Sequence, residues 1–227
     1  MQNFSLSAEV KQKFPGFKFF GLKIDNVVVS DKLEFTKKKE ILTEFKSKQT
    51  PENISSNKLV KSIRELFIAM NVNPDMEPTS VEHLTKILYR NGLPRINSIV
   101  DSANIASLGS LMPIGVFDAD KMVGDVLLRF SREGEAIEPI GRDKEILNDG
   151  ILIITDDVGV ISRPLYKDSK RTMITKNTKN IYLFTAQYGE AREEDIQKCL
   201  NLAAEIINAS SPGSKKGEIF EFKFLQS

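Results

Sequence analysis

Leu93–Gly141 reads LPRINSIVDSANIASLGSLMPIGVFDADKMVGDVLLRFSREGEAIEPIG, a stretch that sets a helix, a tight acidic turn and a strand in immediate succession. Asn97 has the short polar side chain of a helix N-cap, and Ile99, Val100, Ala103 and Ala106 follow at helical intervals. Gly109 and Pro113 are expected to close that helix, since neither suits a helix interior. Val116-Phe117 then enters a turn carrying Asp118 and Asp120, and Val126-Leu127-Leu128 predicts a strand after Gly124. Arg129 and Arg132 flank Ser131 at the end of that strand, and Glu133-Gly134-Glu135 makes the next turn.

Working toward the N-terminus, Thr79 and Glu82 have capping-box spacing ahead of Leu84, Ile87 and Leu88, with Gly92 to end that helix. Leu59, Ile63, Leu66, Phe67 and Met70 form the apolar stripe of a helix over about 56–70. Asp31 is positioned to cap a Lys-rich helix that runs to Lys48, before Pro51. Phe17 to Val29 alternates and then runs apolar, which predicts one or two strands around Asp25-Asn26, and Ala8–Lys13 predicts a short helix. Working toward the C-terminus, strands are expected at 150–156, 158–161 and 181–185, a long amphipathic helix at 192–209, and a last alternating strand at 218–225. Helices and strands mingle without strict βαβ alternation, so the expected class is α+β, a mixed sheet with packed helices. The whole of 1–227 is expected to be a single domain: 1–75 an N-terminal elaboration, 76–190 the core, 191–227 a C-terminal helix and strand.

The charge balance, 32 basic against 31 acidic residues for a net +1, does not announce a nucleic-acid binder. It is uneven, however: residues 1–61 hold 12 Lys against 7 acidic residues, or +5, which leaves −4 for the rest. With one cysteine, an intramolecular disulfide and a Cys-based zinc site are both excluded. Cys199 lies at helical spacing with Ile196, Leu200, Ala203 and Ile207 and reads as a buried structural thiol. The sole histidine, His83, reads as a surface residue on a helix flank. No charged-then-apolar leader and no run of membrane-spanning length is visible, so a cytoplasmic protein without membrane contact is expected. Nothing implies a metal or a cofactor.

The residues Ile96-Asn97, Val100-Asp101, Asn104, Pro113, Phe117-Asp118, Asp120, Gly124, Arg129 and Gly134-Glu135 carry a resemblance. They resemble the tRNA-binding editing domain (the B three/four domain) of the bacterial phenylalanyl-tRNA synthetase beta chain. That family runs I-N-x-V-V-D-x-T-N-Y, then G-Q-P-x-H-A-F-D-x-D, a Gly, a strand with Arg, and G-E. The match is gapless over roughly forty residues, far more than a lone short motif. It can be followed from about Pro78 to about Tyr188, and the length suits a freestanding relative. The resemblance implies a substrate pocket at Ala103, Asn104, Ile114, Gly115 and Phe184, between the helix, the turn after it and a later strand. It also implies a partner, tRNA or aminoacyl-tRNA.

Departures from the family bear on chemistry. In the gapless register this chain has Ala103 and Gly115 where the family has Thr and His, and Phe184 falls where the family has a Glu that reads the hydroxyl of misattached tyrosine. Loss of a buried acceptor removes a large source of selectivity, so tyrosine preference is not expected. Hydrolysis of an activated ester can still proceed by positioning water beside backbone donors, and the catalytic residues are left open. Arg163, Tyr166, Lys167, Lys170 and Arg171 offer a basic-aromatic run able to grip tRNA phosphates or stack on a terminal base, or else a solvated loop. Asp101 reads as a helix-pinning hydrogen bonder, and Glu133/Glu135 as a solvent-facing turn. Two functions remain in view: a factor hydrolysing misacylated tRNA in trans, and a module binding a tRNA end or small ligand without chemistry.

Overall fold

The computed structural model describes residues 2–225. Strand β1 (Phe4–Leu6), helix α1 (Ala8–Lys13) and strand β2 (Lys18–Asp25) come first. Helices α2 (Lys38–Lys48), α3 (Lys58–Ala69), α4 (Ser80–Arg90) and α5 (Ser98–Ser110) follow. Next come β3 (Gly115–Asp118), β4 (Val126–Phe130), the short pair β5 (Ala136–Ile137) and β6 (Glu145–Ile146), β7 (Leu152–Thr155), β8 (Val160–Arg163) and β9 (Lys167–Asp168). Strand β10 (Ile181–Gln187), helix α6 (Glu193–Ser210), β11 (Lys215–Glu221) and β12 (Lys223–Phe224) complete the order. The class is α+β.

Two mixed-origin sheets face each other. One has six strands in the order β12-β1-β4-β7-β8-β9; the other has four in the order β11-β2-β10-β3. Between them lies an aromatic layer in which Phe19, Phe117, Phe184 and Phe222 are fully buried. The Phe184 ring stands 5.2–5.8 Å from those of Phe117, Phe222, Tyr182 and Phe19, in tilted, edge-on or stacked arrangements that suit ring quadrupoles. On its other face the four-stranded sheet carries α5 and α6, through Leu22, Ile24, Leu183, Ile105, Ala106, Leu200 and Ala203. The alternation of Phe19/Phe20 and of Leu183/Phe184 between these two cores is the period of a strand buried on both faces.

Local sequence explains most boundaries. Asn97 caps α5, its side-chain oxygen accepting from the Ile99 and Val100 amides, and Thr79 and Glu82 form the expected capping box. Three expectations are corrected. Gly109 lies inside α5, not at its end; a Cβ there would stand 3.0 Å from Ile41 and Leu202, so the glycine serves helix contact, and Leu111 in the left-handed region ends the helix. Asp31 does not cap α2, which begins at Lys38, because the preceding segment is pinned elsewhere: Ser30 exchanges hydrogen bonds with Ser98, and Asp31 pairs with Lys176. The expected last strand is two: β11 pairs with β2, and β12 pairs with β1 in the other sheet. Phe222 stands between them, its amide bonded to the Phe19 carbonyl.

Residues before 76 also contribute more than a cover. Strand β2 lies between β11 and β10, and β1 between β12 and β4.

Candidate functional site

Both sheets end on the same side of the sandwich, in β3 and in β9. A row of register neighbours crosses the six-stranded sheet: Phe224, Leu6, Leu128, Ile154, Ser162, Asp168. Directly paired residues share a face, and Leu6, Leu128 and Ile154 belong to the aromatic layer between the sheets. The row therefore faces inward, apolar until its last two members. Ser162 is fully buried and donates its hydroxyl to Asp168 Oδ1 at 2.8 Å. Asp168 is half-buried, and a side chain at Gly115 would place its Cβ 4.0 Å from that same oxygen. The edge of one sheet thus meets the edge of the other at Asp168 and Gly115. Burial pushes the Asp168 carboxyl up to about 6, against the lowering effect of the Ser162 hydrogen bond.

Neither Ser162 nor Asp168 was among the residues expected from sequence. A two-residue strand inside a polar, basic run carries no period, so the inward aim of Asp168 shows only once β8 and β9 are paired.

Of the five expected pocket residues, the structure brings Gly115 and Phe184 together as direct partners between β3 and β10. A Cβ at Gly115 would press on the Phe117 ring at 2.8 Å, which accounts for the glycine. Phe184 is 1% exposed and turned into the aromatic layer, whereas the partly buried Ile114 packs in the core on the opposite face of that sheet, the face that carries α5 with its buried Ala103. Ala103 and Phe184 therefore do not face one cavity. Asn104 is half-buried, and its side-chain amide has no hydrogen bond among the described residues. Asp101 pins its helix, accepting the Ile96 amide at 3.0 Å.

Most of the expected tRNA-gripping run is engaged internally. Arg163 and Lys167 both pair with Glu145, at 2.9 and 2.8 Å, and their side chains are each 12% exposed. Their cationic groups stand 4.7 Å from the centre of the Tyr166 ring, whose edge meets Phe67. The Tyr166 hydroxyl is buried near Glu77 without a well-formed hydrogen bond; burial first, then Glu77, raises its pKa. Arg171 pairs with the buried Asp156 and donates to the Lys121 carbonyl. Lys170 is open to solvent and pairs with an equally open Glu138.

Other groups singled out in the sequence have structural partners. Glu135 receives a two-pronged Arg129, at 2.8 and 2.5 Å, and is held down to about 2 by that hydrogen bonding despite burial; Glu133 is exposed. Cys199 is fully buried, and burial pushes its thiol up to about 12. His83 is exposed on α4. Among the described residues no helix is long and apolar enough to cross a membrane. An open cavity of about 850 Å³ lies away from Asp168, lined by Phe4, Lys23, Asp120, Tyr182, Phe220 and Phe224.

A family model described as the B3/4 domain matches residues 62–209, more than half of the chain. The phenylalanine–tRNA ligase beta subunit of Neisseria meningitidis serogroup B is 30% identical over 116 residues, 51% of this chain and 15% of that relative. That of Mycoplasma pneumoniae is 30% identical over 130 residues, 57% of this chain and 16% of that relative. The chain thus spans about a sixth of the length of these curated relatives. A crystal structure of an N-terminal fragment of the phenylalanyl-tRNA synthetase beta subunit from Pyrococcus horikoshii aligns with a TM-score of 0.48 and 13% identity, over 97% of this chain and 55% of that one.

Proposed function

Since this chain belongs to the B3/4 domain family, we propose that it binds the charged end of aminoacyl-tRNA and hydrolyses the ester of a misacylated tRNA in trans. The single observation that supports this reading is the family match over 62–209, a span that includes the Asp168–Ser162–Gly115 edge. An aminoacyl ester is activated, so a site that holds it beside backbone donors and one carboxylate has only to position water. The exposed edge of β3 supplies such donors, because alternate amides of an edge strand point away from the sheet.

A second reading, a non-catalytic binding module, is favoured by the position of the sole histidine, exposed on α4. It leaves the site without the imidazole that a general base commonly uses. Tyrosine is a poor substrate under the first reading, because Phe184 stands where the family has the Glu that reads tyrosine's hydroxyl, and a buried hydroxyl left unpaired costs roughly 1–3 kcal/mol.

Phosphate binding falls to the outer surface of the 163–171 run, where Lys170 is open to solvent, while Arg163, Lys167 and Arg171 are held by acids. The test is a deacylation screen across a panel of correctly and incorrectly charged tRNAs, paired with binding at two salt concentrations. Hydrolysis of a tRNA bearing an apolar amino acid, faster than of tyrosyl-tRNA, is expected. Binding without hydrolysis of any charged tRNA would establish the second reading, and no binding would end both.

A further inference from the structure

We propose that the Asp168 carboxylate is the seat for a primary ammonium group of the ligand; resting on the function proposed above, that group is the α-ammonium of the esterified amino acid. The first ground is pattern. In the inward row Phe224–Leu6–Leu128–Ile154–Ser162–Asp168, four apolar residues are followed by a hydroxyl and a carboxylate at the sheet's edge. Such a break of alternation on a buried face is expected at functional positions.

The second ground is that nothing within the fold uses the charge. Asp168 accepts one hydrogen bond, from Ser162, and no cation pairs with it among the described residues. Most charged groups on the neighbouring elements are already committed, and Arg142, exposed beyond the Ile140 amide that bonds the Asp168 carbonyl, makes no ion pair with it. Lys167 on β9 and Arg163 on β8 go to Glu145; Lys170 goes to Glu138, and Arg171 to Asp156. On β3, Asp118 is held by Thr178 and Lys121, and on α3 Arg64 is held by Asp75 and Glu82. A shielded carboxylate with one hydrogen bond is costly, and its elevated proton affinity records that cost. A ligand cation removes it.

The third ground is the donor set and access. One carboxylate and one hydroxyl suit a compact ammonium with three donors, and no group of three or more metal-ligating side chains occurs among the described residues. Asp168 is half-buried, so the residue meets solvent at the sheet's edge while its carboxyl is held against Ser162. Gly115 presents no side chain to it; a Cβ built there would stand 4.0 Å from Asp168 Oδ1.

The experiment compares two non-hydrolysable 3′-aminoacylamino-adenosines, one with a free α-ammonium and one N-acetylated, by titration calorimetry on the full chain near pH 7. A charge-assisted hydrogen bond predicts that the wild type favours the free amine by about 10-fold or more. Asp168→Asn, expected to fold since it is isosteric, and checked by its melting transition, should reduce that ratio to about 2-fold or less. The wild-type preference should also fade as pH drops through about 6, where Asp168 takes up its proton. Equal binding of the two analogues by wild type, or a preference that survives Asp168→Asn, overturns the inference and leaves the proposed function standing. Failure of both analogues to bind the wild type overturns the proposed function along with it.

Discussion

Asp168 also carries a stability consequence that can be measured without any ligand. Its carboxyl has a folded pKa of about 6 against an ordinary value of 3.8, so the folded state holds the proton more tightly than the unfolded state does. Folding is therefore unpenalised by this group below about pH 3.8 and progressively penalised as pH rises through about 6. Asn is neutral throughout and can still accept from Ser162. Asp168→Asn should raise unfolding free energy near pH 7 by about 1–2 kcal/mol, after allowing for partial exposure, and should give no gain near pH 3.5. Urea titrations at the two pH values check this; a variant less stable than wild type at neutral pH would mean that the carboxylate is part of the fold's framework. A residue that costs stability where it stands is typical of a site held for binding. None of this was legible from the sequence, where Asp168 sits among Arg163, Lys167, Lys170 and Arg171 and reads as part of a basic loop. Its inward aim is a property of register across five strand pairs, three of them between segments distant in sequence, and no local period reports it.

At the level of elements, the sequence announced what depends on near neighbours. The Asn97 cap, the Thr79/Glu82 box and the long period of α6 all appear as expected, because capping and amphipathicity are settled within a few residues. It misplaced what depends on remote partners: the start of α2, the interior Gly109, and the division of 215–224 between two sheets. Gly21 belongs to this second class. It lies in β2 directly across from Phe220, whose ring covers it so closely that an added Cβ would overlap the ring atoms, with Cε2 at 2.7 Å. The ring cannot withdraw freely, since it also packs on Phe4 at 4.6 Å and stacks beside Phe222. Gly21→Ala should therefore strain the β2–β11 pairing and destabilise the protein by about 1–3 kcal/mol, although alanine ordinarily favours a strand over glycine. A shifted denaturation midpoint with an unchanged slope is the expected record. A neutral or stabilising outcome would show that β11 yields easily.

Across the whole molecule, the family match and the architecture do not share boundaries. The match covers 62–209, yet both sheets are completed by strands outside it: β1 and β2 before, β11 and β12 after. Without them the four-stranded sheet keeps only β10 and β3, and the six-stranded sheet loses β12 and β1. The aromatic layer would lose Phe19 and Phe222, both fully buried, and with them two of the rings around Phe184. Each such side chain contributes roughly 1.5–3 kcal/mol of burial, while a domain's net stability is only about 5–15 kcal/mol. Removing several at once exceeds that margin. A chain cut to residues 62–209 should accordingly lack a cooperative thermal transition and bind a hydrophobic dye, whereas residues 2–225 should melt as one unit. The β3–β9 edge that brings Gly115 to Asp168 depends on the two sheets being held face to face, so the shortened chain should also lose the preference for a free ammonium. A cooperative transition in the 62–209 chain, with that preference intact, would show instead that the terminal strands only cover a site the matched segment builds alone.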